Sequence, residues 1–294
     1  MQADNSFHPH VRVLKIEDAG DPRLAPYRDI RERDLVGRGQ RFIAEGKVVL
    51  NVLLEQVQEK CEAVFRPDLR PNLPARFEAE SILVVENRLG GLEEQLRNCP
   101  EDLPVYCVPQ EVMDRISGFH VHRGILAVGR RKAIPSPAEL LAALPERALV
   151  AVLCGISNHD NVGSIFRNAA AFESGCVLMD ETCCDPLYRK AIRVSVGATL
   201  KVPYIRHGSI DDIIAALVEE KFEIWALSPS GARSIYEVPP APRQALLMGT
   251  EGEGLPKPLL ERLNTARIPM SAQFDSLNVA TASGIALSRF SRFG

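Results

Sequence analysis

The chain has 294 residues, 46% hydrophobic and 25% charged, and a formal net charge of −3; this is a globular composition with ample core for one large or two ordinary domains, and it excludes a protein that coats nucleic acid through general basicity. No apolar run approaches the roughly 20 residues of a membrane span, and the start, "MQADNSFHPHVRVLKIEDAGD", has acids where a secretory or transit leader would not. Seven irregularly spaced cysteines without a CxxC pair speak against a disulfide framework or a zinc site, so a reducing, cytoplasmic setting and no metal are expected.

In chain order, "RDIRERDLVGRGQR" (28–41) holds five arginines against three acids. "RFIAEGKVVLNVLLEQ" (41–56) carries a helix-like apolar run after Gly46. "SILVVEN" (81–87) and "PVYCVP" (104–109) are β-branched-rich runs bounded by turn residues and read as strands. "PQEVMDRISGF" (109–119) reads as a short helix and "GILAVGR" (124–130) as a strand, followed by the basic triplet Arg130, Arg131 and Lys132. A small α/β unit over 1–134 results. The basic clusters read either as solvated faces or, through Arg38, Arg41, Arg130 and Arg131, as a local RNA-binding patch. Proline-rich "RRKAIPSPAELLAALPERA" (130–148) divides the chain, so 135–148 is expected to be a linker with a short helix from Pro137 to Leu144.

Beyond it, "ALVAVLCGIS" (148–157) has the unbroken apolar pattern of a strand buried on both faces. "NVGSIFRNAAAF" (161–172) reads as a helix: Val162, Ile165, Phe166 and Ala169 form its apolar stripe, while Arg167 shares another face with Gly163 and Ala170. "GCVLMD" (175–180), "KVPYIR" (201–206), "FEIWALSP" (222–229), "QALLMG" (244–249) and "ARIPM" (266–270) are further strands. "SIDDIIAALVEEK" (209–221) and "SLNVATASGIALSRF" (276–290) are helices, the latter with Ser276 as a candidate N-cap. Such alternation predicts a parallel sheet covered on both sides, with ligands beyond the carboxyl ends of its strands.

The loops at those ends carry candidate chemistry. "LLMGTEGEGLP" (246–256) is glycine-rich without the spacing of a phosphate loop, and Glu251 and Glu253 would repel phosphate, so it suits a neutral or cationic ligand, or else is a plain turn before the helix that follows. Arg167 reads as a functional cation or as one half of a surface ion pair with Glu173 or Asp160. Ser276 and Asn278 read as functional donors or as local capping residues.

Taken in order, three stretches resemble the motifs of the SpoU (TrmH-like) branch of the SPOUT RNA methyltransferases. Asn161, Gly163 and Arg167 match the first; Gly249, Glu251, Gly252 and Gly254 the second; Ile268, Pro269, Met270, Ser276, Leu277, Asn278 and Ala280 the third. "YRKAIRVSVGATLKVPY" (188–204) is similar to the stretch between the first two. The likeness covers about 149–290. More loosely, 30–132 resembles the ribosomal-protein-like recognition domain that often precedes this catalytic domain. The last helix departs from the family, having Ser288-Arg289 where a Tyr-Glu pair is common.

The resemblance implies an α/β SPOUT domain over 149–294 with a deep trefoil knot, a homodimer, and methyl transfer from S-adenosylmethionine to a ribose 2′-hydroxyl of RNA, ribosomal more than transfer RNA. It assigns catalysis to Asn161, Arg167, Glu251, Ser276 and Asn278, and cofactor binding to the backbone around Leu227, Gly249, Gly254, Ile268, Met270 and Leu277. The alternatives are a non-catalytic RNA-binding protein on the same fold, a transfer-RNA enzyme, or a nucleotide-binding oxidoreductase; the last lacks its GxGxxG after the first strand.

Overall fold

A computed structural model describes residues 11–28, 35, 39–57, 76–97, 99–132, 135–271, 273 and 275–291. They divide into two units. The described residues of 11–132, joined by Leu187–Leu200, form the first; those of 135–186 and 201–291 form the second. Among the described residues no helix is long and apolar enough to cross a membrane.

The first unit is built on five strands, β1 (Val13–Lys15), β2 (Arg41–Glu45), β3 (Phe77–Val85), β4 (Val105–Val108) and β5 (Ile125–Arg131), in the order β1-β4-β3-β5-β2. β1, β4 and β3 run parallel; β5 is antiparallel to β3 and β2. Helices α1 (Lys47–Val57) and α2 (Gln110–Ser117) connect them. The strands read from sequence are present; β1 is too short for its alternation to be legible. The buried side chains of Ile43, Leu83, Val108, Met113 and Leu126 form one cluster.

The second unit is a seven-stranded, fully parallel sheet: β6 (Ala148–Leu153), β7 (Cys176–Met179), β8 (Tyr204–Arg206), β9 (Glu223–Leu227), β10 (Arg233–Ser234), β11 (Arg243–Met248) and β12 (Asn264–Arg267), ordered β10-β12-β9-β11-β6-β7-β8. Six strands were expected; the seventh, β10, has two residues and no pattern to read. β6 lies between β11 and β7, and all six of its residues are buried, as its unbroken apolar run requires.

The sequence division shifts in two places. Helix α3 (Pro137–Ala142) lies in the stretch read as a linker. It has a capping box between Ser136 and Glu139, and it buries Leu140 and Leu141 in the second unit's core. Arg243 holds the same segment by donating to the carbonyls of Leu141 at 2.8 Å and Pro145 at 3.3 Å. Conversely α5 (Arg189–Val194) groups with the first unit, where Gly197 packs on Val52 and Arg189 lies 3.6 Å from Glu45, while α6 (Ile210–Glu219) and α7 (Lys257–Arg262) belong to the second.

Candidate active site

α4 (His159–Ala171) follows β6. Asn158 caps it, its side chain accepting from Asp160 N at 2.9 Å. Val162, Ile165, Phe166 and Ala169 are fully buried, the expected stripe, and each large member contributes roughly 1.5–3 kcal/mol of burial. The loop entering α4 is pinned by Asp180, whose carboxylate accepts from Gly155 N, Thr182 N, Thr182 Oγ1 and Cys183 N.

Gly249 follows β11. A Cβ there would stand 2.4 Å from the carbonyl carbon of Gly254, so only glycine lets the loop close on itself. The closure is a two-way backbone pair between Thr250 and Gly254 at 3.1–3.2 Å. Gly252 (φ +89°) and Gly254 (φ +70°) take the left-handed turns between them. Thr250 in turn packs on Gly155, where a Cβ would approach Thr250 Cγ2 to 2.9 Å.

α8 (Val279–Phe290) is capped by Asn278, which accepts from Ala280 N at 2.9 Å and Thr281 N at 3.3 Å. The candidate cap Ser276 stands two residues too early: it is exposed on the rim of the cavity, and the first free amides of the helix point at Asn278. α8 packs on α4, and its small residues let Asn168 Nδ2 reach both Ala280 O and Ser283 Oγ at 2.8 Å. Asn168 escaped the sequence reading; a lone amide in an alanine-rich helix was its only trace.

The three stretches meet. Asn161 donates to Glu251 Oε1, Asn278 Nδ2 donates to the same oxygen at 2.6 Å, and Asn278 also donates to Asn161 Oδ1 at 3.0 Å. Asn161 is buried, 5% exposed, while Glu251 and Asn278 face outwards. Beside this triangle opens a cavity of ≈ 390 Å³ at the carboxyl ends of β9, β11 and β12, within the roughly 300–1,000 Å³ of small-molecule sites. Leu227, Gly249, Gly254, Ile268, Met270 and Leu277 all line it, as do Glu251, Ser276 and Asn278. Arg167 is exposed on α4, and among the described residues it forms no ion pair; the pairing with Glu173 or Asp160 is not made.

The RNA patch read from sequence fares differently. Arg38 lies outside the described residues. Arg41 pairs with Glu80 at 2.6 Å, and Arg130 pairs with Glu78 and, at 3.2 Å, with Glu80. Arg131 hydrogen-bonds Gln40 at 3.4 Å. The antiparallel register that sets Arg130 opposite both Arg41 and Glu78 neutralises much of this cluster.

The site thus lies where a parallel α/β sheet binds ligands, beyond the carboxyl ends of its strands, with a glycine-closed acidic loop and an amide–carboxylate triangle beside the cavity. Residues 148–288 match the SpoU rRNA Methylase family. A protein of Mycobacterium bovis named "Uncharacterized tRNA/rRNA methyltransferase" is 36% identical over 299 residues, spanning 98% of this chain and 95% of its own. The chain therefore belongs to the SpoU family of RNA methyltransferases. The fold is similar to that of an AdoMet-bound rRNA methyltransferase from Sinorhizobium meliloti (TM-score 0.73, 18% identity, 94% of this chain and 97% of that one). It is also similar to an RNA 2′-O ribose methyltransferase (TM-score 0.67, 24% identity, 94% and 97%).

Proposed function

We propose that the protein transfers the methyl group of S-adenosylmethionine to a ribose 2′-hydroxyl of structured RNA, ribosomal rather than transfer RNA, as a cytoplasmic homodimer that needs no metal. The observation that carries this reading is the meeting of Asn161, Glu251 and Asn278 beside the cavity, with Arg167, exposed and unpaired among the described residues, on the same helix as Asn161.

The cavity residues fit the cofactor. Leu227, Ile268, Met270 and Leu277 supply apolar surface for a purine, the backbone at Gly254 is open to close approach, and the Glu251 carboxylate suits a cation. When bound, S-adenosylmethionine would supply a methyl group on a positively charged sulfur: as the oxygen–methyl bond forms the sulfur–methyl bond breaks, the neutral thioether leaves, and the hydroxyl proton passes to solvent.

The chain's own residues then have separate tasks. Asn161 and Asn278 fix Glu251, so its negative charge is held in place before substrate arrives. Arg167 keeps its guanidinium donors for the RNA: it holds the phosphate beside the target ribose and stabilises charge developing on the 2′-oxygen. It is not the base, because a guanidinium does not release its proton in a protein. Ser276 offers a hydroxyl to the ribose at the rim. Positioning of the oxygen supplies most of the acceleration. A partner subunit placed over the exposed Arg167 completes the site. A trefoil knot in this domain belongs to the same reading and rests on the family likeness.

The test uses the full chain, methyl-labelled S-adenosylmethionine, and ribosomal and transfer RNA from cells lacking the protein. Digestion to nucleosides should return label in 2′-O-methylnucleosides of ribosomal RNA. Label in a methylated base, or in transfer RNA alone, overturns the reading.

A further inference from the structure

In the first unit, the loop from Gly118 to Gly124 is rigid and yet turns an aromatic ring outwards. Gly118 closes α2 in the left-handed conformation (φ 76°). At the other end, a Cβ on Gly124 would lie 2.4 Å from Val85 Cγ2, so the chain is clamped against β3. Between them Val121 is buried, Ser117 Oγ donates to Phe119 O at 2.6 Å, and His120 Nδ1 pairs with Asp114 at 2.7 Å. On this fixed loop the ring of Phe119 is 40% exposed. The Arg189 guanidinium stands over it, 4.4 Å from its centroid. Exposed His120 and His122 meet edge to face at 4.7 Å, and exposed Arg123 follows. Arg193, one helical turn beyond Arg189 on α5, is also exposed, and no described residue pairs with it.

We propose that this surface, the Phe119 loop with the Arg189–Arg193 face of α5, docks an unpaired segment of the RNA substrate. The inference rests on the RNA methyltransferase reading above and says where the first unit takes hold. Unpaired bases are recognised by stacking on aromatic rings and guanidinium planes while cations take the phosphates, and a duplex offers no free base face. Phe119 and the imidazoles are the platforms; Arg123 and Arg193 are the phosphate contacts. A rigid loop avoids the ordering cost that a mobile one would meet on binding. The rival occupant, another protein, would call for a broad apolar face; here a single exposed ring lies under one guanidinium, with exposed Arg123 on the same loop and exposed Arg193 on the same helix as Arg189, which favours RNA. It also accounts for RNA binding without Arg41 and Arg130, whose charges are answered by Glu78 and Glu80.

The test is fluorescence anisotropy of the full-length protein with labelled oligouridine and with an A–U duplex of equal length. Phe119→Ala should weaken oligouridine binding about tenfold, in line with one lost stacking partner, and leave duplex binding unchanged. Phe119→Leu, which keeps apolar volume without a π face, should be as weak, and Phe119→Trp should bind as wild type does. Arg193→Ala should lower affinity and reduce the salt slope by about one counterion. Cofactor binding by calorimetry should be the same in every variant. Equal oligouridine binding by wild type and Phe119→Ala overturns the surface assignment while leaving the enzyme reading intact. A change in sedimentation instead of RNA affinity marks a protein interface and overturns it as well. A wild-type protein that binds neither RNA overturns the surface assignment too, whereas the enzyme reading falls only if the labelling experiment above returns no 2′-O-methylnucleoside.

Discussion

Asn278 donates to Glu251 at 2.6 Å across 27 residues of chain, and the same side chain caps α8 through its oxygen. One amide thus holds a helix end with its acceptor and a carboxylate with its donor. The two roles separate experimentally. Asn278→Ser keeps a good cap and loses the donor to Glu251. Its melting temperature should stay close to wild type while methyl transfer falls. Asn278→Ala loses both and should also cost about 1 kcal/mol of stability, read in a urea titration. If the serine variant is fully active, the contact with Glu251 has no part in the chemistry.

Arg167→Ala should leave the affinity for S-adenosylmethionine unchanged, because Arg167 does not line the cavity. The rate of transfer should fall by about 10²–10³, the usual cost of removing a donor that stabilises developing charge. Arg167→Lys should recover little, as an ammonium lacks the planar fork. Single-turnover rates with saturating cofactor decide this, and near-normal transfer by the alanine variant would remove Arg167 from the mechanism.

Val196 is a β-branched residue in the left-handed region, φ 54°, and 42% exposed. The conformation costs roughly 1–2 kcal/mol for such a residue, and little burial offsets it. Val196→Gly should therefore stabilise the protein by about 0.5–1 kcal/mol after the loss of unfolded-state restriction is counted. Its neighbour behaves oppositely: Gly197→Ala would place a Cβ 3.2 Å from Val52 Cγ2 at φ +82° and should destabilise. Thermal melts of the two variants should move in opposite directions.

A fragment begun at residue 149 lacks Leu140, Leu141 and Leu144, all buried in the second unit's core. It also leaves Arg243 without its acceptors at Leu141 and Pro145. Each lost side chain removes roughly 1.5–3 kcal/mol of burial. The fragment 135–294 should accordingly melt at a clearly higher temperature than 149–294; equal melting temperatures would show α3 to be dispensable.

The elements with a long periodic or unbroken apolar pattern were legible: α4 by its apolar stripe, β6 by its apolar run, and α6 (Ile210–Glu219) by its apolar residues behind Ser209 and Asp211, of which the structure makes Ser209 the cap. The loops at 249–254 and 268–278 were legible as a site through their likeness to the SpoU motifs; on their residues alone they read equally well as a turn and a helix cap. What sequence could not give depends on register and on distant partners. Nothing local says that Glu78 and Glu80 lie across from Arg130, or that Leu140 of an apparent linker joins a core, or that Val196 occupies a glycine's conformation. The choice of Asn278 over Ser276 as cap turned on where the first free amides fall, which is settled only when the helix docks.

The position of β11 has a consequence for the order of events during synthesis. It lies between β6 and β9, pairing Arg243 with Ala148 and Gln244 with Glu223. Until the ribosome has delivered residue 248, the two strands that flank it each present a bare row of amides and carbonyls, and both are rich in apolar side chains. The centre of the sheet is among the last parts to arrive, so β6 stays unpaired on that side from residue 153 to residue 248, joined by β9 from residue 227, and such open edges are of the kind that recruits other chains. Chaperone dependence in the newly made protein should therefore be governed by how soon β11 emerges.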